Sequence, residues 1–293
     1  MLLRPLNDLP LLQKAASLAD AAGLELYAVG GCARDWALGR PSADIDFLVG
    51  GDADPLVAGL EQAYGGSHKK FKPFLTVRFF DSAGRRLDFA RFRKETYAAP
   101  AALPTVAEAD SAAEDLKRRD FAANAMAVRL NGAEPYALLD PHKGMEDVKA
   151  GLVRVLHEKS FQDDPTRLYR AARFAGRFAW RLEAGTLELA LAAVKAGLPG
   201  LLSRERLRNE LVKILSEENP LPALALLGEL GALAVIHPAF AYGPSLLALP
   251  PGRGRLAAAA ALMGPAGGEF LAGLRLSNKE TADLNAQAGS LRK

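Results

Sequence analysis

Two aspartates stand two residues apart inside an apolar segment, Asp44 and Asp46 in "ADIDFLV". If this segment is a strand, the alternation of side chains sends both carboxylates to the same face. Two unpaired carboxylates on an apolar strand are costly to bury, whereas Mg²⁺ prefers one or two carboxylates together with water and substrate phosphates. The pair therefore predicts a magnesium site. The alternative is that Asp44 caps a turn after Pro41-Ser42 and that Asp46 lies on a solvated strand edge.

A paired glycine precedes the aspartates. Gly30-Gly31 lies between the strand-like "LELYAV" and the helix-like "ARDWALG". Backbone N–H groups at a turn from strand to helix form an anion site. A phosphate site beside a metal site is typical of phosphoryl or nucleotidyl transfer, because metal ions activate the attacking hydroxyl and stabilise the leaving pyrophosphate.

Composition limits the class of protein. The 293 residues are 49% hydrophobic and 24% charged, with a net charge of +3 that permits a nucleic-acid partner without requiring one. The single cysteine, Cys32, excludes an internal disulfide. Arg4, Pro5 and Asp8 interrupt any secretory signal, and the longest apolar run, 256–263, is too short to cross a bilayer. We therefore expect no membrane association and a cytoplasmic location.

The elements that must position these residues change character along the chain. The first ~145 residues alternate helix-like and strand-like segments, which indicates a small α/β or α+β domain. Residues 95–113 have two prolines and no clear period, which predicts a long mobile loop. Beyond about residue 150, successive apolar and amphipathic segments predict a second half made of helices.

Two later segments concentrate arginine next to aspartate. In "EDLKRRD" (114–120), guanidiniums suit phosphate and an aspartate can accept from a ribose hydroxyl, although a solvated charge run is the alternative. In "DDPTRLYRAARFAGRF" (163–178), Asp-Asp-Pro predicts a helix start, and arginines recur at helical spacing. The alternative for this second segment is a capped helix with a solvated arginine face.

These motifs, together with "GGCARD" and "DIDF" and in this order, resemble those of the class II tRNA nucleotidyltransferases (CCA-adding enzymes) and the bacterial poly(A) polymerases. The resemblance covers about residues 27–215. It implies an α+β fold, with a polymerase-β-like nucleotidyltransferase head domain that has a small mixed sheet, followed by an all-helical neck and body. We expect the head at 1–148, the neck, which would recognise the nucleotide base, at 149–219, and a short body at 220–293, without the tail domain of longer relatives.

The resemblance also implies roles for particular residues. Asp44 and Asp46 would be catalytic and would hold Mg²⁺. Asp88 could supply a third carboxylate or could instead be a strand-edge partner of Arg85 and Arg86. Asp163 stands where the family usually has glutamate, and Asp164 with Arg167 would read the Watson–Crick edge of the incoming base. The residues expected to bind the nucleotide are Gly30, Gly31, Arg34, Arg118, Arg119, Asp120, Asp164, Arg167, Arg170 and Arg173.

The implied activity is addition of CMP and AMP to the 3′ end of tRNA, with tRNA, ATP and CTP as partners and pyrophosphate as product. Narrower readings are an A-adding enzyme, a CC-adding enzyme or a poly(A) polymerase. A non-catalytic RNA-binding relative is the alternative of another class, and nucleotidyl transfer to a small molecule is disfavoured by the arginine motifs. In the later helix, Arg206 and Glu210 are predicted to form a supporting i,i+4 pair.

Overall fold

The computed structural model describes residues 1–7, 9–42 and 44–292, with only the backbone of Phe74. The described residues divide into two compact units. The first comprises Met1–Ala98, Leu103–Ala150 and Arg154–Leu156, and the second comprises Ala99–Ala102, Gly151–Val153 and the chain from His157 onward. Among the described residues, no helix combines the length and the apolar character needed to cross a membrane.

The first unit contains most of the strands. They are β1 (Leu26–Val29), β2 (Asp46–Val49), β3 (Ser67–Phe71), β4 (Thr76–Phe80), β5 (Arg86–Arg91), β6 (Arg93–Thr96), β7 (Thr105–Glu108), β8 (Ala127–Arg129) and β9 (Leu138–Leu139). Its helices are α1 (Leu9–Ala21), α2 (Gly31–Ala37), α3 (Asp54–Tyr64), α4 (Ala112–Leu116) and α5 (Gly144–Ala150).

The second unit is mainly helical. Its helices are α6 (Ser160–Asp163), α7 (Thr166–Phe178), α8 (Ala184–Lys195), α9 (Arg204–Leu215), α10 (Leu221–Glu229), α11 (Leu233–Ile236), α12 (Arg253–Leu262), α13 (Gly267–Gly273) and α14 (Asn278–Leu291). The prediction of helices beyond residue 150 holds except for one short parallel ladder, in which β10 (Leu152–Val153) pairs with β11 (Arg181–Leu182). Two-residue strands carry no detectable period, which is why the sequence did not reveal them. The finer division of this half at residue 219 stays a prediction.

The central sheet of the first unit has the strand order β3-β4-β5-β2-β1-β8-β9. Only β2 and β5 pair in parallel among these described strands, and the other neighbours are antiparallel. The mixed sheet implied by the resemblance is therefore confirmed. The parallel pair matters because it joins strands that are far apart in the sequence.

The register of the sheet places charged residues in one row. Asp46 on β2 lies opposite Asp88 on β5, Asp88 lies opposite Arg78 on β4, and Arg78 lies opposite Lys69 on β3. On the other side of Asp46, β1 contributes Val29. Directly opposed residues share a face, so two carboxylates and two cations line one face of four adjacent strands.

The other face of the same strands is the apolar core. Phe47 and Phe89 are fully buried and stack with ring centroids 4.6 Å apart. Burial of an aromatic side chain of this size stabilises the fold by roughly 1.5–3 kcal/mol. The alternation of buried and accessible positions along β4 and β5 follows from this, since only every second residue can face the core.

Residues 95–113, predicted to be a long loop, are partly ordered in strands. β6 and β7 pair antiparallel, from Arg93 opposite Glu108 to Thr96 opposite Thr105. The prediction of an unstructured segment was wrong at both ends, because a two-stranded ladder rests on backbone hydrogen bonds that proline and alanine content does not reveal. The connecting residues Ala99–Ala102 belong to the second unit.

Candidate functional site

The two aspartates of the opening motif lie at the start of β2. Asp46 is its first residue and is accessible to solvent, while Asp44 precedes the strand and is exposed. The backbone oxygen of Asp44 accepts a hydrogen bond of 2.8 Å from Ser42 Oγ. Asp46 therefore belongs to the predicted strand, whereas Asp44 lies outside it, and β2 is an inner strand of the sheet and not the strand edge of the alternative. Ala43, between Ser42 and Asp44, lies outside the described residues.

Asp88 is the carboxylate that the fold brings to Asp46. Both of its oxygens accept from Arg78, with Nε 2.6 Å from Oδ1 and Nη2 3.0 Å from Oδ2. Arg86 Nε is 3.6 Å from Asp88 Oδ2, so one of the strand-edge partners considered for Asp88 is also close. Arg78 therefore balances the negative charge of Asp88, which lies opposite Asp46.

Electrostatics at Asp46 favour a cation. Neighbouring protein atoms partly desolvate the Asp46 carboxylate and raise its pKa; the charge of Arg119 opposes this rise, and the charges of Asp88 and Asp44 add to it. A carboxylate with a raised pKa beside other carboxylates gains from a bound divalent cation, which stabilises the ionised form. The donor set therefore fits a metal ion of the Mg²⁺ type.

A pocket of about 470 Å³ opens on this row of charges. Its size falls within the roughly 300–1,000 Å³ typical of ligand sites. The floor is the face of the sheet that carries Asp46 and Asp88, and one wall consists of the guanidiniums of Arg93, Arg118 and Arg119. The pocket thus places anionic and cationic groups side by side, as binding of a metal–phosphate complex requires.

The three guanidiniums of the arginine wall lie close enough together to interact electrostatically. Burial and the nearby charge of Arg118 lower the pKa of Arg93. The Nε atom of Arg119 is buried and has no hydrogen-bond partner within the described residues. Clustered guanidiniums of this kind suit a polyanion such as a triphosphate.

A buried carboxylate that the sequence analysis did not single out holds this wall in place. Asp115, at 0% exposure, accepts from Arg118 Nε at 3.1 Å and from Arg119 Nη2 at 3.2 Å. Glu95 Oε1 accepts from Arg118 Nη1 at 2.9 Å. The spacing i,i+3 and i,i+4 from Asp115 to the two arginines was visible in "EDLKRRD" and could have indicated the contact.

The glycine turn is joined to the Arg-Arg-Asp motif by a buried hydrogen-bond chain. Arg34, 5% exposed, donates from Nη1 to Asn124 Oδ1 at 2.7 Å, and Asn124 Nδ2 donates to Asp120 Oδ1 at 3.1 Å. Arg34 and Asp120, which were predicted to contact the nucleotide, are therefore buried members of this hydrogen-bond network. Asn124 connects them, and the sequence did not indicate its role. Gly31 begins α2 beside them.

Gly30 also lies close to the Arg-Arg-Asp motif, because its backbone approaches Arg119. Its φ is +71°, and a Cβ atom at this position would lie 2.9 Å from Arg119 Nη1. Only glycine adopts this conformation without strain and leaves room for the guanidinium. The glycine turn therefore permits Arg119 to approach β1 and β2, where Asp46 lies.

The second motif with arginines lies in the helical unit, and none of its residues belongs to the pocket described above. α7 begins directly after Pro165, as the sequence predicted. Asp164 Oδ1 accepts from the Thr166 N–H at 3.0 Å and from Arg206 Nη2 at 2.7 Å. Asp163 is half-buried at the end of α6, with its Oδ2 4.0 Å from His157 Nε2.

Arg206 does not pair with Glu210 as predicted. It donates to Asp164 and, at 2.7 Å, to the backbone oxygen of Ala101, while Glu210 accepts from Lys213 at 2.6 Å. The i,i+4 rule failed because Glu210 lies on the buried side of α9, whereas Arg206 is half-buried and reaches Asp164. Arg206 thus fixes the orientation of Asp164.

The arginines of α7 do not form the solvated face that was the alternative for this segment. Arg167 is buried and donates to Ser160 Oγ at 2.8 Å, and Arg170 is half-buried. Arg173 is buried, with Nη1 3.4 Å from Glu217 Oε1, and Arg177 Nε is 2.7 Å from Glu217 Oε2. The last two therefore have a carboxylate partner within the protein.

Comparison with known proteins bears on both units. The family described as Poly A polymerase head domain matches residues 26–154, and the family described as probable RNA and SrmB-binding site of polymerase A matches residues 201–243. A crystal structure of a tRNA nucleotidyltransferase complexed with a primer tRNA and an incoming ATP analog superposes with a TM-score of 0.70 and 31% identity, covering 93% of this chain and 80% of that one. The chain belongs to the tRNA nucleotidyltransferase and poly(A) polymerase family.

Two other members of the family are named for different activities, CCA addition and A addition. A CCA-adding enzyme in an apo form superposes with a TM-score of 0.76 and 32% identity, covering 95% of this chain and 66% of that chain. The A-adding tRNA nucleotidyltransferase of Halalkalibacterium halodurans is 40% identical over 227 residues, which are 76% of this chain and 53% of that relative. The chain spans about half of that curated relative and about a quarter of two others.

Membership in the family makes the contact between Gly30 and Arg119 testable. For the nucleotide addition that we propose below, we expect Gly30→Ala to lower the rate by on the order of 10²-fold, because the new methyl group displaces a guanidinium from the pocket. Steady-state kinetics with a nucleoside triphosphate as the varied substrate measure this loss.

Gly39→Ala is the matched control for this substitution. Gly39 also has a positive φ, of +75°, but open space surrounds the position of its Cβ. Both variants carry backbone strain that thermal denaturation detects, and only Gly30→Ala is expected to lose activity. An equal loss in both variants would show that backbone strain, not the position of Arg119, limits the reaction.

Proposed function

We propose that the protein is an RNA nucleotidyltransferase that adds CMP and AMP to the 3′ end of tRNA without a nucleic-acid template. In this reaction the terminal hydroxyl oxygen of the RNA bonds to the α-phosphorus of a nucleoside triphosphate, and pyrophosphate leaves. The observation that carries the proposal is the row of Asp46 and Asp88 beside the wall of Arg93, Arg118 and Arg119. This arrangement suits a metal-bound triphosphate.

We assign Mg²⁺ to Asp44 and Asp46. Within the described residues, no group of three or more His, Cys, Asp or Glu side chains is arranged to hold a metal ion. Two carboxylates nevertheless meet the preference of Mg²⁺, which completes its coordination with water and substrate phosphates. When bound, the ion would lower the pKa of the attacking hydroxyl and neutralise charge on the leaving pyrophosphate. We propose that Asp88 supports Asp46 electrostatically while Arg78 balances its charge.

Some residues of the first unit would bind the triphosphate directly, and others would support them. Arg118 and Arg119, fixed by Asp115, would donate to phosphate oxygens in charge-assisted hydrogen bonds. Arg34 and Asp120 would act through Asn124 by holding the glycine turn and the Arg-Arg-Asp segment together. Gly30 and Gly31 would leave room for the phosphates at this turn.

Base selection is assigned to the helical unit. Asp164, oriented by Arg206, would accept from the exocyclic amino group that cytosine and adenine both carry, and Arg167 would donate to a ring nitrogen or carbonyl of the base. Guanine and uracil lack an amino group at that position. We assign Arg173 a supporting role, since it is buried against Glu217, and leave Arg170 and Asp163 as the accessible candidates for further nucleotide contacts.

A-adding activity is the second candidate. It is favoured by one specific finding, namely that the relative from Halalkalibacterium halodurans, at 40% identity, is named an A-adding tRNA nucleotidyltransferase. Both candidates use the same pocket and differ only in which RNA ends and triphosphates are accepted. We propose a cytoplasmic location for either activity, because tRNA and nucleoside triphosphates are available there.

One incorporation assay separates the candidates. Purified protein with Mg²⁺ is given tRNA transcripts that end before CCA, after C or after CC, each with CTP, ATP or both. We expect the first transcript to grow by three nucleotides only when both triphosphates are present. Extension of only the CC-ending transcript by ATP would assign A addition instead, and long ATP-dependent ladders would indicate poly(A) polymerase. Tight RNA binding without incorporation would instead indicate a non-catalytic RNA-binding relative.

A further inference from the structure

The pocket has a second wall that none of the residues assigned to the triphosphate occupies. It consists of the residues of β3 and β4 that face the pocket, chiefly Phe71, Thr76 and Arg78. Phe71 lies opposite Thr76 in the strand register, and Arg78 lies opposite Lys69. This β3–β4 wall continues the sheet face that carries Asp46 and Asp88.

The aromatic ring in this wall differs from the core phenylalanines of the sheet. Phe47, Phe79 and Phe89 are fully buried, whereas Phe71 is only partly buried at the edge of the pocket. Two cations lie over its ring: the Arg78 guanidinium carbon is 5.1 Å and Lys69 Nζ is 5.4 Å from the centroid. An accessible ring with flanking cations is the combination on which nucleic-acid bases stack while their phosphates are neutralised.

The reaction itself requires a second nucleotide position at the carboxylates. The incoming triphosphate and the 3′-terminal nucleotide of the acceptor must both reach Asp46, and the arginine wall accounts for the first of them. The row Asp46, Asp88, Arg78, Lys69 runs from the proposed metal site towards the edge strand β3, where positive charge is again available.

We propose that the β3–β4 wall binds the 3′-terminal nucleotide of the acceptor RNA, with its base against the Phe71 ring and its phosphate beside Lys69 and Arg78. This inference rests on the proposed nucleotidyl transfer and names the subsite for its second substrate. Because the ring offers a flat apolar face without hydrogen-bond selection, it accepts cytosine or adenine alike. Phe71 is a binding residue here and does not take part in the chemical step.

The test compares the KM for RNA with the KM for the triphosphate. We expect Phe71→Leu, which keeps apolar volume but removes the flat ring, to raise the KM for a CC-ending tRNA by about 5- to 150-fold, the range observed for loss of one stacked base. The KM for ATP is expected to stay within about twofold. Phe71→Tyr is expected to restore the KM for RNA, because it restores the ring.

A binding measurement makes the test independent of catalysis and of folding. Fluorescence anisotropy of a labelled CC-ending RNA without triphosphate is expected to show the same loss for Phe71→Leu, with thermal denaturation confirming that the variant is folded. Phe80→Leu is the matched control: Phe80 has the same parity on β4 as Arg78, is 41% exposed and lies outside the pocket. An equal loss with Phe80→Leu would overturn the assignment to the pocket.

Two further outcomes separate this inference from the proposed function. If the wild-type protein extends RNA but Phe71→Leu leaves the KM for RNA unchanged, or raises only the KM for ATP, the acceptor subsite is wrong while nucleotidyl transfer stands. If the wild-type protein extends no RNA, the proposed function fails. The anisotropy measurement then still decides whether this wall binds an RNA end.

Discussion

Asp46→Asn is expected to lower kcat for nucleotide addition by on the order of 10³-fold or more, with the protein still folded. The substitution keeps the shape of the side chain and removes the charge that would hold Mg²⁺ at the start of β2. Single-turnover incorporation with saturating RNA and triphosphate measures the loss directly. Asp110→Asn, which changes an exposed aspartate of the same unit, is the control and is expected to retain full activity.

In the absence of metal, we expect Asp46→Asn to be more stable than the wild type, although it is less active. The pKa of Asp46 is raised by its surroundings, so the folded state holds this proton more tightly than the unfolded state does. The ionised carboxylate therefore destabilises the metal-free fold, and Asp46→Asn is expected to melt at a higher temperature than the wild type at pH 7.5. This advantage shrinks as the pH falls through the raised pKa and disappears below the pKa of an ordinary aspartate.

These two measurements together identify a functional carboxylate. Loss of activity with a gain in stability is the behaviour of a group kept for chemistry at a cost to the fold. Retention of turnover within about tenfold of the wild type would exclude Asp46 from the metal site. A variant that is both inactive and less stable without metal would mean that Asp46 has a structural role in the sheet.

Asp115→Asn is expected to produce the second largest effect. Asp115 is fully buried and accepts from Arg118 and Arg119, so loss of its charge removes the carboxylate to which Arg119 donates and leaves Arg118 held by Glu95. Loss of one partner of a buried ion pair destabilises a protein by up to roughly 3–5 kcal/mol. We expect a rise in the KM for the triphosphate and a fall in kcat/KM on the order of 10²-fold, with a smaller change in the KM for RNA.

The control for this substitution lies in the same helix turn. Glu114→Gln changes a neighbouring residue that contacts Lys94 and the backbone N–H of Asp110 and does not line the pocket. We expect it to leave both KM values unchanged. If Asp115→Asn is folded at the assay temperature and binds the triphosphate as the wild type does, Asp115 does not position the arginine wall.

The sequence by itself determined the local features and the residue types of the site. The glycine turn before a short helix, the aspartates at the start of β2 and the helix that starts after Pro165 are all local patterns. Each depends on backbone preference and side-chain periodicity over a few residues, which a single sequence displays. The order of these motifs was also enough to indicate the family.

Only the tertiary structure decided which distant residues meet. Asp88 faces Asp46 because β2 and β5 pair in parallel in one particular register, and Arg78 reaches Asp88 through the register of the next pair. A period of two tells which face a side chain takes but not which strand lies beside it or at what register. For the same reason the sequence could not indicate that Phe71 stands at the pocket or that Arg206 contacts Asp164.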